Sequence, residues 1–345
     1  IFVELIGMIA LSQIDYLPQP WSHDPFPPMW ARWDTGWYSS ILTYGYQLRE
    51  GIMSNVTFFP IYTLWWKLVW LILPVSRLTA GIWASNLAAL ASCLIIYRWL
   101  GDVIDQKTAR LSLIALLAWP ASVSLVAAYS ESIFILLTAL TFWLAYKQKW
   151  TAAATMALIA SATRPLGIAL WPTLFILWWQ KETNKKLIKV WPILLLPSLG
   201  LIFFSFYLWL KTGDPLAWLN AQNMAGRFLS WPLPMLKAYW LNIIHLGDLW
   251  LLHLNELLAL IIVLITLPAI IKLDKAYGVF ALASLLPPLF TNSLTSFPRF
   301  VLVIIPVFIV IGLIKKRWLY WAYLTLSLPW LVWNVINFVT WQSAI

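Results

Sequence analysis

The stretch Leu257–Ile271, with the sequence LLALIIVLITLPAII, decides the fold class, because no charged side chain interrupts it. A second apolar run, Leu111–Ala128, lies earlier in the chain. Strands of a transmembrane barrel alternate apolar and polar residues over segments of about ten residues, whereas these two runs are continuous. They therefore predict membrane-spanning α-helices.

The composition of the whole chain agrees with this prediction. Of its 345 residues, 62% are hydrophobic and 10% are charged, and the mean hydropathy is +0.79. Soluble domains carry about 25% charged residues, so this chain has too few charges to cover a water-exposed surface. We predict an all-α polytopic integral membrane protein in which residues 1–345 form a single transmembrane domain. Because the sequence begins at Ile1, inside an apolar stretch, we expect that its first span is trimmed.

The net charge of +10 is concentrated in short loops that hold 14 of the 23 basic residues. Cytoplasmic loops of membrane proteins carry an excess of Lys and Arg, so this charge predicts orientation, and no nucleic-acid partner is expected. The basic loop residues are Arg98, Lys107, Arg110, Lys147, Lys149, Lys181, Lys185, Lys186, Lys189, Lys272, Lys275, Lys315, Lys316 and Arg317.

With these loops in the cytoplasm, the sequence predicts about eleven transmembrane helices, at about 20 residues for each crossing. The segments 151–163 and 165–180 are short for two full spans, and we expect them to enter and return around Arg164-Pro165. Residues 58–73 are placed in or near the interface. The predicted spans are 1–11, 79–100, 109–128, 130–147, 151–163, 165–180, 190–210, 253–272, 276–291, 299–314 and 318–338.

Two long segments then lie outside the cytoplasm, residues 12–57 and residues 211–252. In the first external loop, aromatic and aliphatic residues recur at steps of three and four, which is typical of an amphipathic helix. Such an aromatic-rich helix is expected to lie in the membrane interface. The residues of this pattern are Trp30, Trp33, Trp37, Ile41 and Tyr44.

Asp34 lies within this pattern and has two interpretations. Its carboxylate can act as a general base on an acceptor hydroxyl, which requires only hydrogen-bond reach. Alternatively, it caps a helix that begins at Thr35, a role for which Asp is well suited. From spacing alone, the cap is favoured.

Two ordered blocks of sequence resemble a known family. The run from Arg32-Trp33-Asp34 to Gly45-Tyr46, followed by Phe58-Phe59-Pro60-Ile61-Tyr62, is similar to the first luminal loop of the PIG-V family, the GPI mannosyltransferase II type. Trp119-Pro120-Ala121-Ser122 and the later run Tyr129-Ser130-Glu131-Ser132 resemble a second block of that family.

This resemblance implies a GT-C-type glycosyltransferase with Asp34 as its catalytic residue and no cofactor. The enzyme would move a sugar, by family a mannose, from a polyprenyl-phosphate donor to a lipid-linked or surface glycan on the extracytoplasmic face. Direct attack would invert the anomeric centre. The location would be the plasma membrane of a prokaryote or the endoplasmic reticulum of a eukaryote. The alternatives are a lipid or oligosaccharide transporter without transferase activity and a structural subunit.

The donor phosphate would need cations, and Arg offers a two-pronged guanidinium that matches phosphate oxygens. Arg164, Arg299 and Arg227 qualify by their position in the chain. Each could instead snorkel to the interface or pair with an acid, and Glu131 is the obvious partner of Arg164. For Glu131 the favoured interpretation is that its charge complements a helix N-terminus, and the alternative is that it supports the active site.

The remaining candidates surround Asp34. Arg32 either orients the Asp34 carboxylate or contacts lipid, and Trp37 and Tyr38 are predicted substrate contacts.

His245 with Asp248 and His253 with Glu256 have a suggestive spacing for a metal site. The two histidines are eight residues apart, however, and the sequence has no Asp-Xaa-Asp pair, so no metal is expected.

Overall fold

The computed structural model describes residues 2–13, 28–49, 51–182, 193–224 and 226–342. Within these ranges the chain is all-helical, with no strand and with 16 α-helices. In chain order they are α1 (Phe2–Gln13), α2 (Thr35–Tyr44), α3 (Pro60–Ile72), α4 (Arg77–Val103), α5 (Gln106–Leu117), α6 (Glu131–Tyr146), α7 (Trp150–Ser161), α8 (Leu170–Lys181), α9 (Leu196–Thr212), α10 (Ala217–Met224), α11 (Pro232–Ile244), α12 (Trp250–Leu273), α13 (Lys275–Leu289), α14 (Phe297–Leu302), α15 (Ile305–Gly312) and α16 (Arg317–Val339).

In the described part of the chain, three helices are long and apolar enough to cross a membrane by length and composition, namely α4, α12 and α16. The other predicted spans correspond to shorter helices, among them α1, α6, α7, α9 and α13. Part of the predicted span 190–210 and part of the external segment 12–57 lie outside the described residues.

Two predicted spans are not single helices, so the predictions 109–128 and 299–314 are wrong as written. Helix α5 ends at Leu117, and the chain continues through a turn and a 3-10 helix at Ser122–Leu125. Pro120 lies in this break, where it lacks the N–H for a helical hydrogen bond and its ring would crowd the carbonyl four residues earlier. The second segment divides into α14 and α15, and α15 begins with Pro306 in its first turn.

The interfacial pattern also divides. Helix α2 begins at Thr35, so Trp30 and Trp33 lie in the turns before it and not on a continuous helix. Within α2, Tyr38 and Ile41 are buried and Tyr44 is exposed.

The segment around Arg164 forms the expected break between two short helices. Helix α7 ends at Ser161, a 3-10 helix spans Pro165–Ala169, and α8 follows. Gly167 allows this turn to pack against the end of α7, because a Cβ atom there would collide with the Ser161 backbone. Arg164, in an extended conformation between them, is thereby held at the tip of the turn.

Within the described residues, basic loop residues that follow α6 and end α8 lie at one end of the molecule, which we call the basic end. Asp102, at the end of α4, pairs with Lys147 beyond the end of α6, with 3.4 Å between Nζ and Oδ2. Lys181, the last residue of α8, donates to the Tyr146 carbonyl at 3.3 Å. The first residue of α6, Glu131, therefore lies about 24 Å away along the helix, at the opposite end.

Candidate active site

Four charged side chains from four separate segments meet at that opposite end. Arg299 Nη2 lies 2.8 Å from Asp34 Oδ2 and 2.7 Å from Glu131 Oε1. Arg164 Nη1 reaches the same Glu131 oxygen at 2.6 Å. We call these four residues, Asp34, Glu131, Arg164 and Arg299, the ion cluster. It contains the predicted catalytic residue and three of the predicted substrate-binding residues.

Glu131 is the centre of the ion cluster and its side chain is 0% exposed. A carboxylate so deeply buried is very costly unless it is paired and hydrogen-bonded. Arg299 Nε supplies a further hydrogen bond to the same oxygen at 2.8 Å, and the N-terminus of α6 adds favourable dipole interactions. Both alternatives considered for Arg164 and Glu131, pairing with each other and complementing a helix start, are thus present in the structure.

Asp34 immediately precedes α2, but its side chain makes no capping hydrogen bond. Its backbone is already helical, with φ −57° and ψ −21°, whereas a capping residue normally has an extended backbone. The carboxylate turns to Arg299 instead and remains 25% exposed. The interpretation of Asp34 as a helix cap is therefore wrong, and its carboxylate is accessible to a ligand.

Tyr129 fixes both Asp34 and Arg299. The Asp34 backbone N–H donates to the Tyr129 hydroxyl at 3.3 Å, and the Arg299 guanidinium lies 4.4 Å from the centre of the Tyr129 ring. Ser85 of α4 holds the Tyr129 backbone, since its hydroxyl donates to the Tyr129 carbonyl at 3.0 Å and accepts from the Tyr129 N–H at 3.1 Å. Burial raises the pKa of Tyr129 well above its ordinary value, so this phenol stays protonated.

Two residues beside the ion cluster have a left-handed backbone that side chains other than Gly rarely adopt. Trp33, just before Asp34, has φ 50°, and Ser296, three residues before Arg299, has φ 64°. Surrounding contacts hold each conformation. The Trp33 ring lies 5.1 Å from that of Trp341, and Trp119 Nε1 donates to the Pro298 carbonyl at 2.7 Å.

Of the other predicted site residues, Tyr38 lies next to the ion cluster. Tyr38 is buried against the rings of Phe58 and Tyr62, at 5.0 and 4.7 Å, and its hydroxyl interacts with Ser130 beside Glu131. Burial raises its pKa.

Trp37 and Arg32 do not join the charges directly. Trp37 stacks on Phe58 with ring centres 6.1 Å apart. Arg32 is buried with its guanidinium 5.0 Å from the centre of the Trp341 ring. It therefore packs against the segment that follows the last helix, α16.

Tyr129 and Ser85 were not among the predicted site residues. Tyr129 belongs to the block that resembles the PIG-V family, and that signal was sufficient to single it out. Ser85 is a single hydroxyl in a long apolar helix, and nothing in its neighbouring residues marks it. Among the described residues there is no group of three or more His, Cys, Asp or Glu side chains suited to a metal ion.

The arrangement combines a partly exposed carboxylate with two arginines. Such a carboxylate can accept a proton from a hydroxyl within hydrogen-bond distance. Paired guanidinium groups can bind phosphate oxygens through charge-assisted hydrogen bonds.

No protein-family model and no curated protein matches the chain. Among solved structures, ArnT from Cupriavidus metallidurans, crystallised bound to undecaprenyl phosphate, matches with a TM-score of 0.50 and 11% identity. The match covers 98% of this chain and 74% of the ArnT chain. At this identity the similarity shows the fold alone, and the predicted all-α architecture is confirmed.

Proposed function

We propose that this protein is an inverting glycosyltransferase that uses a polyprenyl-phosphate-linked sugar. One observation carries the proposal: the accessible Asp34 carboxylate lies 2.8 Å from Arg299, which shares Glu131 with Arg164. A base and a pair of cations are what transfer from a phosphate-linked donor needs. The shared fold with a protein that binds undecaprenyl phosphate supports this donor class.

In the proposed reaction, Asp34 accepts the proton of an acceptor hydroxyl, and the hydroxyl oxygen attacks the anomeric carbon of the donor sugar. The bond from that carbon to the phosphate oxygen breaks, and its electron pair remains on the polyprenyl phosphate. Arg164 and Arg299 stabilise the charge that develops there. A single displacement inverts the anomeric centre and needs no second protonated carboxylate, unlike glycoside hydrolysis.

The finer assignments rest on the resemblance to the PIG-V family. We propose mannose as the sugar, a lipid-linked or surface glycan as the acceptor, and a reaction on the extracytoplasmic face. The location is then the plasma membrane in a prokaryote or the endoplasmic reticulum in a eukaryote.

The test is reconstitution in lipid nanodiscs with undecaprenyl-phosphate mannose or glucose, and measurement of released undecaprenyl phosphate. We expect release with the mannose donor, and the exposed-surface variant Asp248→Asn serves as a control with unchanged activity. The protein in liposomes is assayed in parallel for movement of the same donor between leaflets. Movement without release would replace the transferase with the transporter.

Labelling from outside tests the orientation. In a Cys93→Ala background, cysteines placed at Asn223 and Asn292 should react with an impermeant thiol reagent in sealed cells, since neither position is buried. Cysteines at Gln106, Asn184 and Lys316 should not, because the basic end is predicted to be cytoplasmic. The reverse pattern would contradict an extracytoplasmic site.

A further inference from the structure

A second buried carboxylate, Glu256, lies outside the ion cluster in α12. Its side chain is 1% exposed. Neither of its oxygens forms a hydrogen bond of ordinary geometry within the described part of the chain, although the Tyr239 hydroxyl and the Ser296 backbone amide lie close by. Buried polar groups in proteins are normally satisfied, and an exception calls for a specific explanation.

The groups around Glu256 converge on the segment that precedes α14. The Tyr239 hydroxyl accepts from the Leu294 N–H at 2.9 Å, and Arg227 Nη2 donates to the Thr295 carbonyl at 2.8 Å. The His253 ring stacks on Tyr239 with 3.9 Å between ring centres. A carboxylate, a guanidinium and an aromatic stack therefore occupy one corner of the protein.

This corner adjoins the ion cluster. Ser296, whose amide lies near Glu256, is followed three residues later by Arg299, which binds Asp34. Arg227 is within electrostatic range of both Asp34 and Glu256. The two carboxylates thus flank the same short turn of chain, one on the side of the paired arginines and one on the side of α11 and α12.

The charges indicate which ligand group each side suits. A phosphate can bind Arg164 and Arg299 by replacing their carboxylate partners. An uncharged, hydroxyl-rich group suits Glu256, because a carboxylate accepts hydrogen bonds and an aromatic face packs against a sugar ring. Beside this corner the apolar side chains of Leu229, Trp231 and Leu233 are at least 75% exposed, which suits a ligand that arrives from the lipid.

We propose that Glu256, together with Arg227 and Tyr239, forms a second carbohydrate subsite that binds the sugar headgroup of a lipid-anchored acceptor. The subsite rests on the proposed glycosyltransferase function. Glu256 is assigned to binding the acceptor, and Asp34 to taking its proton.

The experiment compares the wild type, Glu256→Gln and Asp248→Asn in nanodiscs with undecaprenyl-phosphate mannose. Sugar transfer to butyl α-mannoside, a short glycoside that is not a detergent, is measured beside donor hydrolysis. Gln keeps the shape of Glu256 but replaces one carboxyl oxygen with an amide nitrogen that cannot accept a hydrogen bond, so we expect the KM for the glycoside to rise roughly ten- to a hundredfold. Hydrolysis and its KM for the donor should stay within about twofold of the wild type, because a water acceptor needs no sugar subsite. Asp248→Asn removes an exposed acid from the same external segment and should match the wild type.

Three results would overturn the subsite. A parallel loss of hydrolysis and transfer would assign Glu256 to the donor, and unchanged glycoside kinetics would make it structural. A wild type that neither uses nor binds butyl α-mannoside would exclude this ligand class. If Glu256→Gln does not fold, as judged by its melting temperature, Glu256→Asp provides the same comparison with the carboxyl group retained and a smaller expected rise in KM.

Binding of radiolabelled butyl α-mannoside, measured by equilibrium dialysis without donor, separates the two proposals. Binding that is lost in Glu256→Gln, with no donor turnover in any variant, would support the subsite and reject the transferase. Donor turnover with glycoside binding equal in both proteins would support the transferase and reject the subsite.

Discussion

The two ends of α6 carry ion pairs of opposite character. At its start, Glu131 is 0% exposed and shares one oxygen with Arg164 and Arg299. Beyond its end, Lys147 and Asp102 are 40% and 45% exposed, and 3.4 Å separate their charged atoms. The buried interaction of Glu131 with the two arginines joins distant segments of the chain, whereas the exposed Lys147–Asp102 pair joins neighbouring helix ends at the basic end.

The difference between these ends shows which charges the fold depends on. An exposed pair is screened by water and adds little stability, so the charges at the basic end chiefly predict orientation. A buried carboxylate must be matched by several donors or it destabilises the protein. Three donors on Glu131 Oε1 meet this demand, and the most exposed member of the ion cluster, Asp34, is the residue proposed to react.

The largest expected effect is that of Asp34→Asn on turnover. Asn preserves the size of the side chain but cannot take a proton, and general-base catalysis contributes about 10²–10⁴-fold. We expect a loss of that size in the rate of undecaprenyl phosphate release, with a smaller loss of stability than Glu131→Gln causes, because Asp34 is the more exposed partner of Arg299. Asp34→Glu should retain a trace of activity, because a displacement of about 1 Å can cost about a hundredfold. Normal turnover by folded Asp34→Asn protein would show that another acid is the general base, and Glu131 and Asp214 would be tested first.

Glu131→Gln should show the largest effect on stability. Removing one partner of a buried ion pair costs about 3–5 kcal/mol, here because two guanidinium groups lose their shared oxygen charge. The midpoint of unfolding in SDS measures this change. Asp102→Asn is the matched variant at the other end of α6 and should leave the midpoint unchanged. Equal shifts for the two variants would remove the distinction between the two ends.

Arg299→Lys keeps the charge and loses the two-pronged geometry. If Arg299 binds the donor phosphate, the KM for undecaprenyl-phosphate mannose should rise roughly ten- to a hundredfold, and Arg164→Lys should act in the same direction. Arg317→Lys, at the exposed basic end, serves as the control. Wild-type donor kinetics in both site variants would show that these arginines pair with Glu131 and do not bind the donor phosphate.

Tyr129→Phe should have the smallest effect of these substitutions. It removes the acceptor of the Asp34 N–H and keeps the ring beneath Arg299, and a net hydrogen bond of about 1 kcal/mol corresponds to roughly a fivefold fall in kcat. Tyr320→Phe removes a comparable hydrogen bond, to the Leu111 carbonyl, and should leave kcat unchanged. If both variants lower kcat equally, Tyr129 acts through general stability and not by positioning Asp34.

Local signals in the sequence predicted the parts of the structure that depend on neighbouring residues. The start of α2 at Thr35 and the break at Arg164-Pro165 follow from helix-start and proline preferences. The break after Leu117 was missed, because a continuous apolar run masked the effect of Pro120.

The interactions of Asp34 could not be predicted locally. Its position before α2 favours a helix cap, but its carboxylate pairs with Arg299, which lies in a distant segment of the chain. Glu131 and Arg299 are 168 residues apart in the chain, so only the tertiary structure reveals that they share a bond. Glu131 with Arg164 was predicted because both were assigned to the same side of the membrane.

The ion cluster is electrically balanced, since its two carboxylates match its two guanidinium groups. An incoming anion therefore meets no net attraction from these four groups and gains contacts only by exchanging partners. When a phosphate takes Arg299, the Asp34 carboxylate is released from its ion pair and its oxygens can accept a hydrogen bond from the acceptor hydroxyl. In the proposed reaction, donor occupancy would then switch on the base, and an empty site would hold it in reserve.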